Sequence, residues 1–253
     1  MTTEVKTSID WSPTLEESSR RCAVLVVETA AQAICARGRF TVALAGGSTP
    51  KHLYTLLAEE PNRSAVDWNR VCVFWGDERC VPQDHPDSNY RLAVESLLKR
   101  VAIPEEQIFP MPGNMEPGAG ARQYETMIRR FFQGEDMPCF DLVLLGMGQD
   151  GHTASLFPGD KVLEERERLV AAVSPPAGAK PAVGRLTLTL PLINNARNAW
   201  FLVSGAEKEK IAAAIVGNTP GSGHLPAAMI RPQGSCRWFL SVCRRELFPT
   251  EAV

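Results

Sequence analysis

Short apolar runs that end in turns of small or charged residues and then pass into helices recur along this chain, and that alternation leaves few folds open. Phe40-Thr41-Val42-Ala43-Leu44-Ala45 reads as a buried strand; Gly46-Gly47-Ser48-Thr49 follows as a turn, and Pro50 opens a helix carrying Leu53, Leu56 and Leu57. Val71 to Trp75 repeats the pattern, giving way to Gly76-Asp77-Glu78-Arg79, with Ser88 starting a helix through Leu92, Val94, Leu97 and Leu98. A third run, Phe140 to Leu145, enters the glycine-rich turn Gly146 to Gly159. Around these, Ser12-Pro13 begins a long helix closed by Gly38, and Ala121–Phe132 and Ala206–Val216 read as helices. Leu169–Val173, Arg185–Leu190, Ala199–Val203 and Arg237–Val242 read as strands, and residues 103–120 as proline-broken connection. Strands alternating with helices predict a three-layer α/β fold, a mostly parallel, Rossmann-like sheet with helices on both faces. No composition break divides the 253 residues, so 1–253 is expected to be a single domain.

The formal net charge is −2 and no Lys/Arg cluster is present, which argues against a nucleic-acid or membrane-surface partner and for a small molecule. The most hydrophobic early stretch is interrupted by Glu28 and Gln32, short of the roughly 20 apolar residues a membrane span needs. The polar N-terminus lacks the apolar centre of a signal peptide, so the cytoplasm is the expected compartment. The cysteines at 22, 35, 72, 80, 139, 236 and 243 show no C-x-x-C spacing, and most are expected to be small buried hydrophobes. The histidines at 52, 85, 152 and 224 are scattered without metal-ligand spacing, so no metal is expected.

Gly146-x-Gly148-x-x-Gly151 satisfies the dinucleotide fingerprint literally, but its context does not. Pro158-Gly159 interrupts the helix that should follow, and the next strand ends at Val173-Ser174-Pro175 without the acidic residue that would bind a ribose. The same turn holds Asp150 and His152. An imidazole oriented by a carboxylate can take and return a proton near neutral pH; a capping Asp beside a packed His is the other reading of the pair. Gly46-Gly47-Ser48-Thr49 offers free amides at a helix N-terminus, a seat for a phosphate dianion, or is simply a turn that permits tight packing. It is neither a Walker A loop nor a nucleophile elbow, because no Gly-Lys-Ser/Thr follows and Pro50 stands where the elbow needs glycine. Arg79, at a strand end with Asp77 and Glu78, is placed to reach a phosphate or an oxyanion, or belongs to a solvated charge run. Lys208, at the start of a helix, reads first as an ordinary helix-surface lysine, and Arg185, opening a strand, as a loop charge.

Taken together, Ala45 to Pro50, Trp75-Gly76-Asp77-Glu78-Arg79, Gly146 to Gly159, Arg185-Leu186-Thr187-Leu188-Thr189-Leu190-Pro191 and Ser204-Gly205-Ala206-Glu207-Lys208 resemble the 6-phosphogluconolactonase family. These blocks keep the family's order and span about residue 40 to 210. The resemblance implies a fold related to the glucosamine-6-phosphate deaminases, no cofactor, and hydrolysis of 6-phosphogluconolactone in the oxidative pentose phosphate pathway. It makes His152 the general base, has Asp150 orient it, and gives Arg79 and Lys208 the phosphate or developing oxyanion. Gly46, Gly47, Ser48 and Thr49 would complete the phosphate seat, and Asp77 and Arg185 the substrate-binding set. The Asp-Gly-His turn is shared with the deaminases; Thr153-Ala154-Ser155-Leu156-Phe157-Pro158-Gly159 resembles the lactonase continuation, without the carboxylate a deaminase would place there. A deaminase and a sugar-phosphate sensor without catalysis are the competing expectations. A monomer or weak homo-oligomer is expected.

Overall fold

The computed structural model describes residues 6–176, 179, 181–241 and 245–248; Val242, Cys243 and part of the loop expected over 174–184 lie outside the described residues. In chain order the strands are β1 (Lys6–Ser12), β2 (Phe40–Leu44), β3 (Val71–Trp75), β4 (Asp77–Arg79), β5 (Leu142–Leu145), β6 (Val170–Val173), β7 (Arg185–Leu188), β8 (Asn198–Ser204) and β9 (Ser235–Ser241). The helices are α1 (Leu15–Arg37), α2 (Ser48–Leu57), α3 (Asn62–Ala65), α4 (Asn89–Ser96), α5 (Pro117–Phe131), α6 (Leu190–Asn194) and α7 (Ala206–Val216).

Local chemistry sets most of these boundaries. Thr14 caps α1 by accepting from Glu17 N–H, and Gly38 ends it at φ 74°, the left-handed region that favours glycine. The buried stripe of α1 (Ser19, Cys22, Ala23, Val26, Ala30, Ala33) is made of small residues at helical spacing, which lets it lie close against the sheet and α2. Ser88 caps α4 by accepting from Arg91 N–H, as the sequence predicts. Pro50, expected to open its helix, instead sits in the first turn of α2, which begins at Ser48.

Among the described residues six strands form one parallel sheet in the order β1-β9-β8-β5-β2-β3. Every residue of β2 and β5 inside the sheet and of β3 at its edge is buried, so both faces of this half of the sheet are covered, as a parallel sheet requires. The chain leaves β2 towards β3 on one side and leaves β5 towards β8 on the other. That divergence opens a crevice beyond the carboxyl ends of β2 and β5, the place where open α/β sheets bind ligands.

Two features depart from the expected single parallel sheet. Asp77–Arg79, expected as a charged turn, is strand β4 of a separate antiparallel sheet in the order β4-β7-β6. Lys6–Ser12 is strand β1 and pairs in parallel with β9, although the residues up to Asp10 read only as a polar terminus and Ser12 as the start of the long helix, which instead begins at Leu15. Of the cysteines, Cys22, Cys72 and Cys236 are buried, Cys35 is exposed, and Cys80 and Cys139 are half-buried. Among the described residues no helix is long and apolar enough to cross a membrane, and no group of His, Cys, Asp and Glu side chains is placed to hold a metal ion.

Candidate active site

A cavity of about 460 Å³ occupies the crevice. The β2–α2 turn supplies Gly46, Gly47, Ser48 and Thr49, β4 supplies Asp77 and Arg79, and the turn after β5 supplies Asp150 and His152. β7 contributes Arg185 and α7 contributes Lys208. Residues expected from separate sequence blocks thus line one space. Asn89, Ser155 and Phe157, to which no motif assigns a role, line it too.

The turn after β5 is built around His152. Its Nδ1 lies 2.6 Å from Asp150 Oδ1, and its backbone N–H donates to the same oxygen at 3.1 Å. With Nδ1 engaged, Nε2 is the nitrogen left for proton transfer. Burial pushes the Asp150 carboxyl up, but the N–H and imidazole of His152 outweigh it and hold the group below the usual carboxylate range. Phe157, 8% exposed, sets its ring 5.0 Å from the imidazole and makes an apolar wall beside it. Gly148 N–H donates to His152 C=O at 2.9 Å, and Thr153 Oγ1 donates to Gly146 C=O at 2.8 Å, closing the turn on itself. A side chain at Gly148 would overlap the imidazole, whereas Gly151 needs glycine for its φ of 80°. No α-helix follows these glycines before Leu190 among the described residues, so they do not form the strand–turn–helix that a dinucleotide loop requires.

At the β2–α2 turn, Tyr54 Oη donates to Ala45 C=O at 2.7 Å and accepts from Ala45 N–H at 2.9 Å, fixing where the strand lets go. Gly47 (φ 104°) then leads into α2, whose first turn carries no acidic residue and no side-chain cap. The leading amides and the helix dipole favour an anion there. Lys208 adds a positive charge from the first turn of α7. Gly46 is a glycine for packing, since a Cβ would overlap the side-chain amide of Asn89.

The second cationic region is a cross-strand pair. Arg79 on β4 is the register partner of Arg185 on β7. Arg79 Nη1 donates to Asp87 C=O at 2.5 Å, so part of its guanidinium holds the β4–α4 loop. Arg185 is 5% exposed and donates to Pro181 C=O at 3.1 Å, but its Nη1 is buried without a partner. Burial first and the neighbouring Arg79 charge second push the Arg185 guanidinium below its usual range. A buried cationic donor with an unused N–H is suited to an anionic or carbonyl oxygen.

Asp77 and Glu78 hold the frame in place. Asp77 Oδ2 accepts from Ser155 Oγ at 2.7 Å, while its carbonyl and Oδ1 accept from Asn89 Nδ2 at 2.9 and 3.2 Å. One carboxylate therefore links β4, α4 and the His152 turn. Glu78 accepts from Arg79 N–H, Asn89 N–H, Tyr90 N–H and Ser88 Oγ at 2.7 to 3.0 Å, seating the start of α4. Burial raises the Glu78 carboxyl despite those donors.

Residues 13–238 match the family described as "Glucosamine-6-phosphate isomerases/6-phosphogluconolactonase". The chain belongs to this family. Among its relatives, the protein named 6-phosphogluconolactonase from Synechocystis sp. is 46% identical over 223 residues, covering 87% of this chain and 89% of the relative. The protein of that name from Rattus norvegicus is 38% identical over 232 residues, covering 89% and 87%. The solved structure of 6-phosphogluconolactonase from Trypanosoma brucei is 32% identical with a TM-score of 0.82, covering 94% of this chain and 97% of that one. A monomeric glucosamine-6-phosphate deaminase aligns with a TM-score of 0.77 at 19% identity, a likeness of fold alone.

Asn89, Ser155 and Phe157 carry no local sequence signal of a role. Ser155 and Phe157 stand inside the family block yet gain their contacts only through folding, and Asn89 follows a helix cap that signals only a helix start.

Proposed function

We propose that this chain hydrolyses 6-phosphogluconolactone to 6-phosphogluconate in the pentose phosphate pathway, with His152 as the general base. Membership of the family and the similarity to proteins named 6-phosphogluconolactonase make it a lactone-hydrolysing enzyme. The observation that carries the mechanism is the 2.6 Å Asp150–His152 contact in the wall of the cavity that the α2 N-terminus also lines.

His152 Nε2 takes a proton from water as the water oxygen bonds to the lactone carbonyl carbon. The carbonyl electrons move onto oxygen, where Arg79 or Arg185 offsets the charge. Collapse of the adduct breaks the bond to the ring oxygen, which receives the proton held by His152, and the acid product ionises. The phosphate sits on the Gly46 to Thr49 amides beside Lys208, holding the carbonyl in place. A lactone is an activated ester, so a base and oriented charge suffice without a covalent nucleophile. The proposed enzyme acts in the cytoplasm as a monomer or weak homo-oligomer, without cofactor, metal or nucleic acid.

The test follows lactone loss above spontaneous opening for wild type and His152→Ala. Wild type should accelerate it, and the variant should lose about 10²- to 10⁴-fold while remaining folded by circular dichroism. No acceleration by wild type, or release of ammonia from glucosamine 6-phosphate instead, would overturn the proposal.

A further inference from the structure

Asp77 on β4 is the register partner of Thr187 on β7, and Arg79 is the partner of Arg185 two positions along each strand. Side chains two apart on a strand share a face, so these four lie on one face of the small antiparallel sheet, with roughly 7 Å between the two pairs. Ser155 is seated on the first pair. Its Oγ donates to Asp77 Oδ2 at 2.7 Å, and its N–H donates to Thr187 Oγ1 at 3.2 Å. Both partners are fixed in turn, since Asp77 Oδ1 accepts from Asn89 Nδ2 at 3.2 Å and Thr187 Oγ1 donates to Leu188 C=O at 3.0 Å. Ser155 is buried, so these bonds are shielded from water.

The same residue stands three positions after His152. Leu156 N–H donates to Thr153 C=O at 2.9 Å and closes a tight turn, inside which Ala154 is held at φ 48°. A residue with a Cβ adopts that left-handed conformation at a cost, and the conformation persists where the surroundings over-determine it. Ser155 ties this strained turn to β4 and β7, the strands that carry the two arginines.

We infer that Ser155 is a positioning residue: seated on Asp77 and Thr187, it fixes His152 relative to the Arg79–Arg185 pair, so that the general base and the charge offsetting the oxyanion meet one carbonyl group. This rests on the lactone-hydrolase reading. Attack then needs the imidazole on the water and a guanidinium on the carbonyl oxygen at the same moment, and a relative shift of about 1 Å can cost about 10²-fold. The phosphate seat, on the β2–α2 turn and α7, lies on other elements and does not depend on this contact.

The experiment measures kcat and KM for the lactone, corrected for spontaneous opening, in wild type and Ser155→Ala, with folding followed by circular dichroism. Ser155→Ala should lower kcat by at least about tenfold, with KM within about twofold of wild type. A smaller loss of kcat, even in a less stable variant, would show that Ser155 only supports the fold and overturns the inference. A KM raised by a factor comparable to the loss in kcat overturns it as well, because Ser155 would then act in binding the substrate. Should Ser155→Ala not fold, Ser155→Cys, whose thiol is a weak donor, takes its place with the same expected outcome. Wild type that hydrolyses no lactone overturns instead the reading on which the inference rests.

Discussion

At the scale of single residues, Asp150 holds the imidazole of His152. Its contact with His152 Nδ1 favours the tautomer that leaves Nε2 free to accept a proton, and an amide in its place no longer has two equivalent acceptor oxygens or a charge to steady the imidazolium. Asp150→Asn should lower kcat by about 10²-fold or more with KM little changed, read by steady-state assay on the lactone. The same carboxyl is held below its usual range in the folded protein. Its stabilising effect is therefore complete above the unfolded value near ~3.9 and is lost as the pH falls through the lower folded one. Thermal unfolding of wild type and Asp150→Asn should differ most above the unfolded value near ~3.9 and converge only as the pH falls on through the lower folded one. A difference that instead grew on acidification would contradict the depressed value. This pair was legible in the sequence because its members lie two positions apart in a turn. Asn89 and Ser155 were not, because the partner that defines them, Asp77, is 12 and 78 positions away.

At the scale of elements, the glycines of the His152 turn differ in what they do. A Cβ at Gly148 would overlap the imidazole, a side chain at the end of a mobile torsion, whereas a Cβ at Gly146 would meet nothing within 4 Å. Gly148→Ala should therefore displace His152 and cost about 10²-fold or more in kcat, yet change stability by less than about 1 kcal/mol. Gly146→Ala should resemble wild type in both lactone turnover and chemical unfolding. Equal activity in the two variants would show that the turn does not position the imidazole through Gly148. Elements were legible where apolar runs are continuous, as in β2, β3 and β5, whose residues are buried throughout. β1 escaped because an edge strand, partnered by β9 alone among the described residues, carries a mixed polar sequence with Ile9 and Trp11 as its apolar members. β4 escaped because its three residues are charged and pair with β7 far along the chain, information that no local pattern holds.

At the scale of the whole molecule, β2 and β5 separate fold from function along their length. Their carboxyl ends open on the cavity, while their amino ends are joined by Asp141, which accepts from Thr41 N–H at 2.8 Å, Thr41 Oγ1 at 2.9 Å and Arg37 Nε at 2.9 Å. Asp141 is 3% exposed, so removing its carboxylate leaves buried donors unpaired and the end of α1 untethered from the sheet. Asp141→Ala should destabilise the protein by roughly 3 kcal/mol, seen as a lower urea midpoint with an unchanged slope. Below its transition kcat should stay close to wild type, because no group lining the cavity has moved. The α/β alternation predicted the parallel sheet, but this tie could not be read from it, since Arg37 and Thr41 meet Asp141 across about 100 positions of sequence. β5 stands between Asp141 and the His152 turn, and a strand of its length spans roughly 13 Å. At that separation the effects of Asp141→Ala and His152→Ala should be independent. The double variant should unfold with the sum of the single changes within about 0.5 kcal/mol, and lose the activity of His152→Ala alone. A larger coupling would mean that strain at the amino end of the sheet reaches the catalytic turn, and the division of labour along β5 would have to be abandoned.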